Sequence, residues 1–115
     1  MNTRKFSSQQ EKQIAKSLGG RVQPNSGAAN FVAGDVKLDF MLIDAKTVVT
    51  PKKSVTIKEE WFDKIKYEAF AMGKDMSCIA FNFGPGKPNY YAVNERDFKQ
   101  LLNTYKEKYY DESDS

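Results

Sequence analysis

Residues 34–49, Gly-Asp-Val-Lys-Leu-Asp-Phe-Met-Leu-Ile-Asp-Ala-Lys-Thr-Val-Val, decide the fold of this chain. Apolar and polar side chains alternate along residues 35–40, and a second β-prone segment follows directly at residues 41–49. This pattern predicts two strands joined as a hairpin. Side chains two residues apart lie on the same face of a strand. Asp44 and Lys46 are therefore predicted to share one face of the second strand.

Helical and extended patterns alternate on both sides of this hairpin. Apolar side chains at helical spacing predict helices at residues 9–18 and 57–72, and a glycine follows each. Short apolar segments predict further strands at residues 21–23, 76–83 and 90–93. Asn94 is the predicted N-cap of a last helix. The stripe that we expect this helix to bury consists of Phe98, Leu101, Leu102, Tyr105 and Tyr109. The order α-β-β-β-α-β-β-α predicts an α/β domain with a mixed central sheet flanked by helices.

The composition is that of a soluble globular protein. Of the 115 residues, 40% are hydrophobic and 29% are charged, and no apolar run is long enough to cross a membrane. The first ten residues have no apolar segment typical of a secretory signal, so we expect a cytoplasmic protein. We expect one domain over residues 1–110 and a disordered acidic tail at residues 111–115. Without the three acids of that tail the formal net charge rises from +3 to +6, which permits binding to nucleic acid.

The absence of histidine restricts the chemistry. It excludes histidine general bases, Ser-His-Asp triads and zinc sites that need histidine. The single cysteine, Cys78, can form no intrachain disulfide, and its apolar segment predicts a buried side chain. Any catalysis must depend on carboxylates, lysines and hydroxyls. These groups favour a hard cation with oxygen ligands, Mg²⁺ with Mn²⁺ as a substitute.

One spacing suits such a cation, namely Asp35 followed by eight residues and then Asp44-Ala45-Lys46. Two carboxylates on neighbouring strands can hold one metal ion, and the lysine can neutralise charge that develops on a phosphate. Solvated strand charges would give the same spacing. However, residues 43–49 have the composition of a central strand, where an unpaired aspartate is costly to bury. Gly34 is expected to leave room for a phosphate or metal beside Asp35.

Glu11 has two interpretations from its pattern. It shares a helix face with Ile14, Ala15 and Leu18, where a carboxylate is unusual unless a site needs it. It also follows Ser8 by three residues, which is typical of a capping box that would start the helix near residue 9. The sequence alone leaves both open.

The chain resembles the archaeal and phage Holliday-junction resolvases of the PD-(D/E)xK nuclease superfamily in Glu11, the loop Asn25-Ser26-Gly27, Gly34-Asp35 and Asp44-Ala45-Lys46. The resemblance covers residues 8–83 and implies a restriction-endonuclease-like αβββαβ core. It implies that Glu11 and Ser26 belong to the active site, that Asp35, Asp44 and Glu11 bind the metal, and that Lys46 is the catalytic lysine. The chain departs from the family at two places. Residue 44 is Asp rather than the commoner Glu, and Ala-Gly rather than Pro precedes Asp35.

The resemblance also implies a partner and a place of action. It implies a homodimer that cleaves four-way DNA junctions during recombination or phage DNA processing, in the host cytoplasm if the chain is phage-encoded. Lys52, Lys53, Lys58 and Asn25 are candidates for DNA binding, although the three lysines also fit an ordinary solvated surface. The alternatives are a general DNA nickase or nuclease of the same fold, and a non-catalytic nucleic-acid-binding protein. We expect Trp61 and the phenylalanines and tyrosines at helical spacing to be core residues rather than base-stacking platforms.

Overall fold

A five-stranded sheet with a helix on each face forms the body of the protein. The structure is a computed structural model that describes residues 3–24 and 34–110. Within these residues the helices are α1 (Thr3–Leu18), α2 (Glu59–Ala71) and α3 (Glu95–Tyr109). The strands are β1 (Arg21–Val22), β2 (Val36–Lys37), β3 (Met41–Lys46), β4 (Met76–Phe81) and β5 (Tyr90–Ala92). The order along the chain is the predicted one, and the α/β class with a mixed sheet is confirmed.

The strands lie in the sheet in their order along the chain. β2 and β3 form the predicted antiparallel hairpin, with Val36 opposite Ile43. β3 pairs in parallel with β4, and β5 pairs antiparallel with β4 on the other side. β3 is therefore the central strand, and a residue on it is buried between two layers of helix unless it lies near the strand's end.

Each face of β3 packs against a different helix. Ile43 and its neighbours on one face contact Ile14 of α1, while Leu42 on the other face contacts Ile65 of α2. Cys78 lies on the α1 side and is buried, as predicted. Its burial raises the pKa of the thiol to about 12. Asp44 and Lys46 are on the Leu42 side of the strand, toward α2.

Helix α1 begins at Thr3, six residues before the predicted start, so the capping-box interpretation of Ser8 and Glu11 is wrong. Ser8 lies in the helix interior. A serine at this end does not stop the helix, because its hydroxyl can bond to the preceding turn. Ser7 shows this, since its Oγ donates to the Arg4 carbonyl oxygen at 3.0 Å.

The predicted strands are longer than the observed ones. β2 ends at Lys37 because the chain turns there, with the Leu38 N–H donating to the Met41 carbonyl at 2.8 Å. Phe40 lies in this turn and stays 43% exposed, so the predicted alternation stops short of it. β3 ends at Lys46, whose carbonyl accepts a hydrogen bond from the Gln10 side chain.

Helix α3 starts as predicted but does not bury its apolar stripe. Asn94 Oδ1 accepts from the Asp97 N–H at 2.8 Å, and the buried Asp97 carboxylate accepts from the Ser77 N–H at 3.0 Å. Beyond this first turn the five stripe residues keep 38–59% of their surface exposed, so the prediction that they form core is wrong. Helical spacing reveals an apolar face but not whether the same chain covers it. The predicted tail, residues 111–115, lies outside the described residues.

None of the helices in the described parts of the chain is both long enough and apolar enough to cross a membrane.

Candidate active site

The β2–β3 hairpin brings Asp35 and Asp44 into contact. The Asp35 N–H donates to the Ile43 carbonyl at 2.8 Å, which fixes the backbone just before β2. The Asp35 Oδ2 accepts from the Ala45 N–H at 2.7 Å, so the carboxyl group lies across the adjoining strand. There it lies against the Asp44 carboxyl group, close enough for protonated Asp35 to donate a hydrogen bond to it. The predicted pairing of two carboxyl groups on neighbouring strands is present in the structure.

This contact disfavours the charged form of the Asp35 carboxyl group. Burial, followed by the hydrogen bond that protonated Asp35 donates to Asp44, raises the pKa of Asp35 from 3.8 to about 7. The Ala45 N–H opposes this by stabilising the charged form, but its effect is the smaller one. The charged form of Asp35 is therefore costly in this position, and a bound cation would offset that cost.

Lys46 lies directly beside this pair. Its Nζ is 2.9 Å from the Asp44 Oδ2, and it lies 4.5 Å from the centre of the Trp61 ring. A cation held over an aromatic ring gains a further electrostatic attraction. Trp61 comes from the first turns of α2, so the helix that covers this face of β3 also holds the lysine in place. Trp61 is partly buried and packs on the core, as expected.

Glu11 approaches the pair from α1 without completing a three-carboxylate cluster. Burial, and then the negative charge of Asp44, raises the pKa of Glu11. Its charge also acts on Asp35, so the three acids share one electrostatic environment. Within residues 3–24 and 34–110, however, no three His, Cys, Asp or Glu side chains converge closely enough to hold a metal ion. Two carboxylates are in contact, and Glu11 lies at longer range.

The prediction that Gly34 leaves room for a phosphate or metal beside Asp35 is wrong. Gly34 has a φ of +67°, and a Cβ added there would lie 2.6 Å from the Leu42 Cγ. The space beside its Cα is therefore occupied by a core side chain rather than left for a phosphate or metal. The Gly34 N–H donates to the Glu68 Oε1 of α2 at 3.0 Å, which ties the residue before Asp35 to the helix.

Two of the predicted site residues, Asn25 and Ser26, lie outside the described residues. Lys52, Lys53 and Lys58 are all exposed, in the segment that joins β3 to α2. They lie past the end of the strand that carries Lys46, which is compatible with the DNA-binding role expected of them.

Sequence reasoning missed Gln10, which is 3% exposed. Its Nε2 donates to the Lys46 carbonyl at 3.1 Å and to the Asn89 Oδ1 at 3.3 Å, while its Oε1 accepts from the Thr47 Oγ1 at 2.8 Å. Gln10 thus links α1 to the end of β3 that carries the candidate lysine. Its position four residues before Ile14, on the buried stripe, was the available signal.

No known protein family model, curated protein or solved structure matches this chain.

Proposed function

We propose that the protein is a metal-dependent DNA endonuclease of the PD-(D/E)xK type. The observation that supports it most strongly is the contact between Asp35 and Asp44, with Lys46 bound to Asp44 at 2.9 Å. Two partly buried carboxyl groups in contact with each other, next to an ammonium group, lower the stability of the fold. Such an arrangement is typical of a functional site.

The donor set fits Mg²⁺ or Mn²⁺. Carboxylate oxygens are the ligands that these cations prefer, and Asp35 and Asp44 would hold the ion, with Glu11 at longer range. When bound, the metal would supply a polarised phosphate and an activated water. Asp35 and Asp44 are pre-positioned by the hairpin, so no rearrangement of the backbone is needed to present both groups.

Lys46 has its own part in the proposed chemistry. Its charge lies at the edge of the carboxyl pair, where negative charge on a phosphate develops during cleavage. The Trp61 ring and the Asp44 carboxylate restrict its ammonium group to one region. A lysine fixed before the substrate arrives stabilises the transition state without reorganisation.

The fold supports the same proposal. Its first six elements run α-β-β-β-α-β, with Asp35 directly before the second strand and Asp44 and Lys46 on the third. This is the arrangement that the restriction-endonuclease-like core would require. We place the protein in the cytoplasm, or the host cytoplasm for a phage protein, where its DNA substrate is found.

The proposed substrate is a four-way junction, cleaved by a homodimer with one active site for each of two strands. The exposed stripe of α3 is the surface that a second copy would cover. Five half-exposed apolar side chains from each copy would bury roughly 1,000 Å², close to the lower limit for a stable interface. A cavity of about 670 Å³ runs along this stripe beside Phe40, which would add to the contact.

A nicking assay on supercoiled plasmid with and without Mg²⁺ tests the nuclease proposal. We expect Asp44→Ala to remove nicking, because one of the two contacting carboxylates is lost. Asp39→Ala is the matched control, since Asp39 is an exposed carboxylate in the same hairpin. Nicking by Asp44→Ala within a few-fold of the wild type would contradict the proposal, and absence of nicking by the wild type would favour a non-catalytic DNA-binding protein.

A further inference from the structure

Three aromatic rings form a cluster at the surface where β4 ends and β5 begins. Phe81 and Tyr90 are opposite each other on these strands, with ring centres 5.9 Å apart and planes 27° apart. The Phe83 ring meets both edge-on, at 5.9 Å from Phe81 and 5.6 Å from Tyr90. Tyr90 is 51% exposed, so this cluster, which we call the ring platform, presents an aromatic surface to solvent.

The ring platform adjoins the candidate active site. Phe81 is the register partner of Lys46 in the parallel β3–β4 pair. Paired residues on adjacent strands lie side by side on the same face of a sheet. The platform therefore begins one strand away from the lysine that contacts Asp44.

Two loops at this edge of the sheet carry only positive charge. Residues 47–58 and 82–89 contain no aspartate or glutamate, and their lysines are Lys52, Lys53, Lys58 and Lys87. All four lysines are exposed. A surface that combines an exposed tyrosine and partly exposed phenylalanines with exposed lysines complements a nucleic-acid strand, whose bases stack and whose phosphates are anionic.

The two loops are also fixed to each other. The Lys52 N–H donates to the Phe83 carbonyl at 2.8 Å. A Cβ added at Gly84 would lie 2.9 Å from the Pro51 Cα, so the backbones are in close contact there. The backbones that carry Phe83 and Lys52 are thus held together before any ligand binds, which lowers the entropic cost of binding.

We infer that the ring platform and these loops bind an unpaired segment of DNA, with bases stacked on Tyr90 and Phe83 and phosphates near Lys52 and Lys53. Bases within a duplex are already stacked on each other and offer no free face, so the surface selects unpaired nucleotides. This inference rests on the proposed function and deepens it, because it identifies nucleotides that leave their base pairs at the branch point as the part of the substrate that is recognised.

Binding to labelled single-stranded oligonucleotides, measured by fluorescence anisotropy in EDTA, tests the inference. The wild-type protein should bind a thymidine oligonucleotide roughly tenfold more tightly than an abasic strand of equal length, a difference of about 1.4 kcal/mol. This comparison needs no variant, so misfolding cannot obscure it. Equal affinity for both strands would overturn the inference.

Variants then locate the site. Tyr90→Leu should weaken thymidine binding roughly tenfold, while Tyr90→Phe, which keeps the ring, should restore it. Tyr67→Leu is the matched control, because Tyr67 is 67% exposed on α2 and makes no part of the platform. Lys53→Ala should reduce the slope of log affinity against log salt by about 0.7. Equal losses for Tyr90→Leu and Tyr67→Leu would reject the platform.

The two proposals fail separately. Binding is measured without divalent metal, so a loss of base preference would reject the ring platform while leaving Mg²⁺-dependent cleavage intact. Conversely, base-dependent binding without any cleavage would support the platform and reject the nuclease.

Discussion

Replacing Asp35 by Asn should stabilise the metal-free protein at neutral and higher pH. Burial and the contact with Asp44 raise the pKa of Asp35 from 3.8 to about 7, so ionisation is less favourable in the folded than in the unfolded state. An asparagine side chain keeps the acceptor for the Ala45 N–H and can donate to Asp44, as the protonated carboxyl group does.

The size of this effect follows from the pKa difference. About three pKa units at 1.36 kcal/mol each give an upper limit of about 4 kcal/mol. We halve this to about 2 kcal/mol, because the carboxyl group is only partly buried and solvent screens it. The stabilisation from protonated Asp35 is fully present below about pH 4 and is lost as the pH rises through about 7. Asp35→Asn should therefore melt about 8 °C higher than the wild type at about pH 8, and within error of it near pH 4.

Thermal unfolding in EDTA, followed by circular dichroism across this pH range, measures the difference. Asp39→Asn is the control and should stay within about 0.5 kcal/mol of the wild type at every pH. Adding Mn²⁺ should stabilise the wild type but not Asp35→Asn, since binding to the folded state alone raises stability. If Asp35→Asn melts at or below the wild-type temperature at about pH 8 without metal, the Asp35 carboxylate stabilises the fold. It is then not a metal ligand that destabilises the metal-free protein.

Three further predictions concern the fold and the assembly. Gln10→Ala should lower the free energy of unfolding by about 2 kcal/mol in urea titrations, because three partners lose a part-buried hydrogen bond. The control Gln13→Ala, at an exposed residue, should change it by less than about 0.5 kcal/mol. Equal effects of the two substitutions would argue against the network. Gly34→Ala should cost about 3 kcal/mol through its positive φ and the overlap with Leu42, against about 1 kcal/mol for Gly73→Ala, which has open space. Leu101→Glu should convert a dimer to a monomer in analytical ultracentrifugation, and an unchanged dimer would show that α3 is not the interface.

The hairpin and its site could be predicted because they depend on local patterns. Residues 34–49 contain both strands and the turn, so the alternation of side chains fixes which residues share a face. The pairing of Asp35 with Asp44 also needs the register, which the turn at residues 38–41 sets and the alternation does not. The two-residue period of β3 places Asp44 and Lys46 on the same face as Leu42, but only the packing in the structure shows that α2 covers that face.

The features that were missed depend on contacts between distant segments. Phe81 and Tyr90 come together only because β5 pairs with β4 in one particular register. The exposure of the α3 stripe depends on where the helix leaves the sheet, which its own periodicity does not specify. The hydrogen bonds of Gln10 to Lys46 and Thr47 become evident only when the end of β3 is seen against α1.

Cleavage of an end-labelled four-way junction in the presence of Mg²⁺ tests the central claim most directly. Wild type and Lys46→Ala are compared on one gel, with a linear duplex of equal length as the second substrate. The proposed site predicts paired, symmetric nicks near the branch point and little cutting of the duplex by the wild type, and no cleavage by Lys46→Ala, with junction binding retained. Cuts scattered equally over both substrates would indicate a general nuclease, and cleavage by Lys46→Ala at the wild-type rate would contradict the assignment of the site itself.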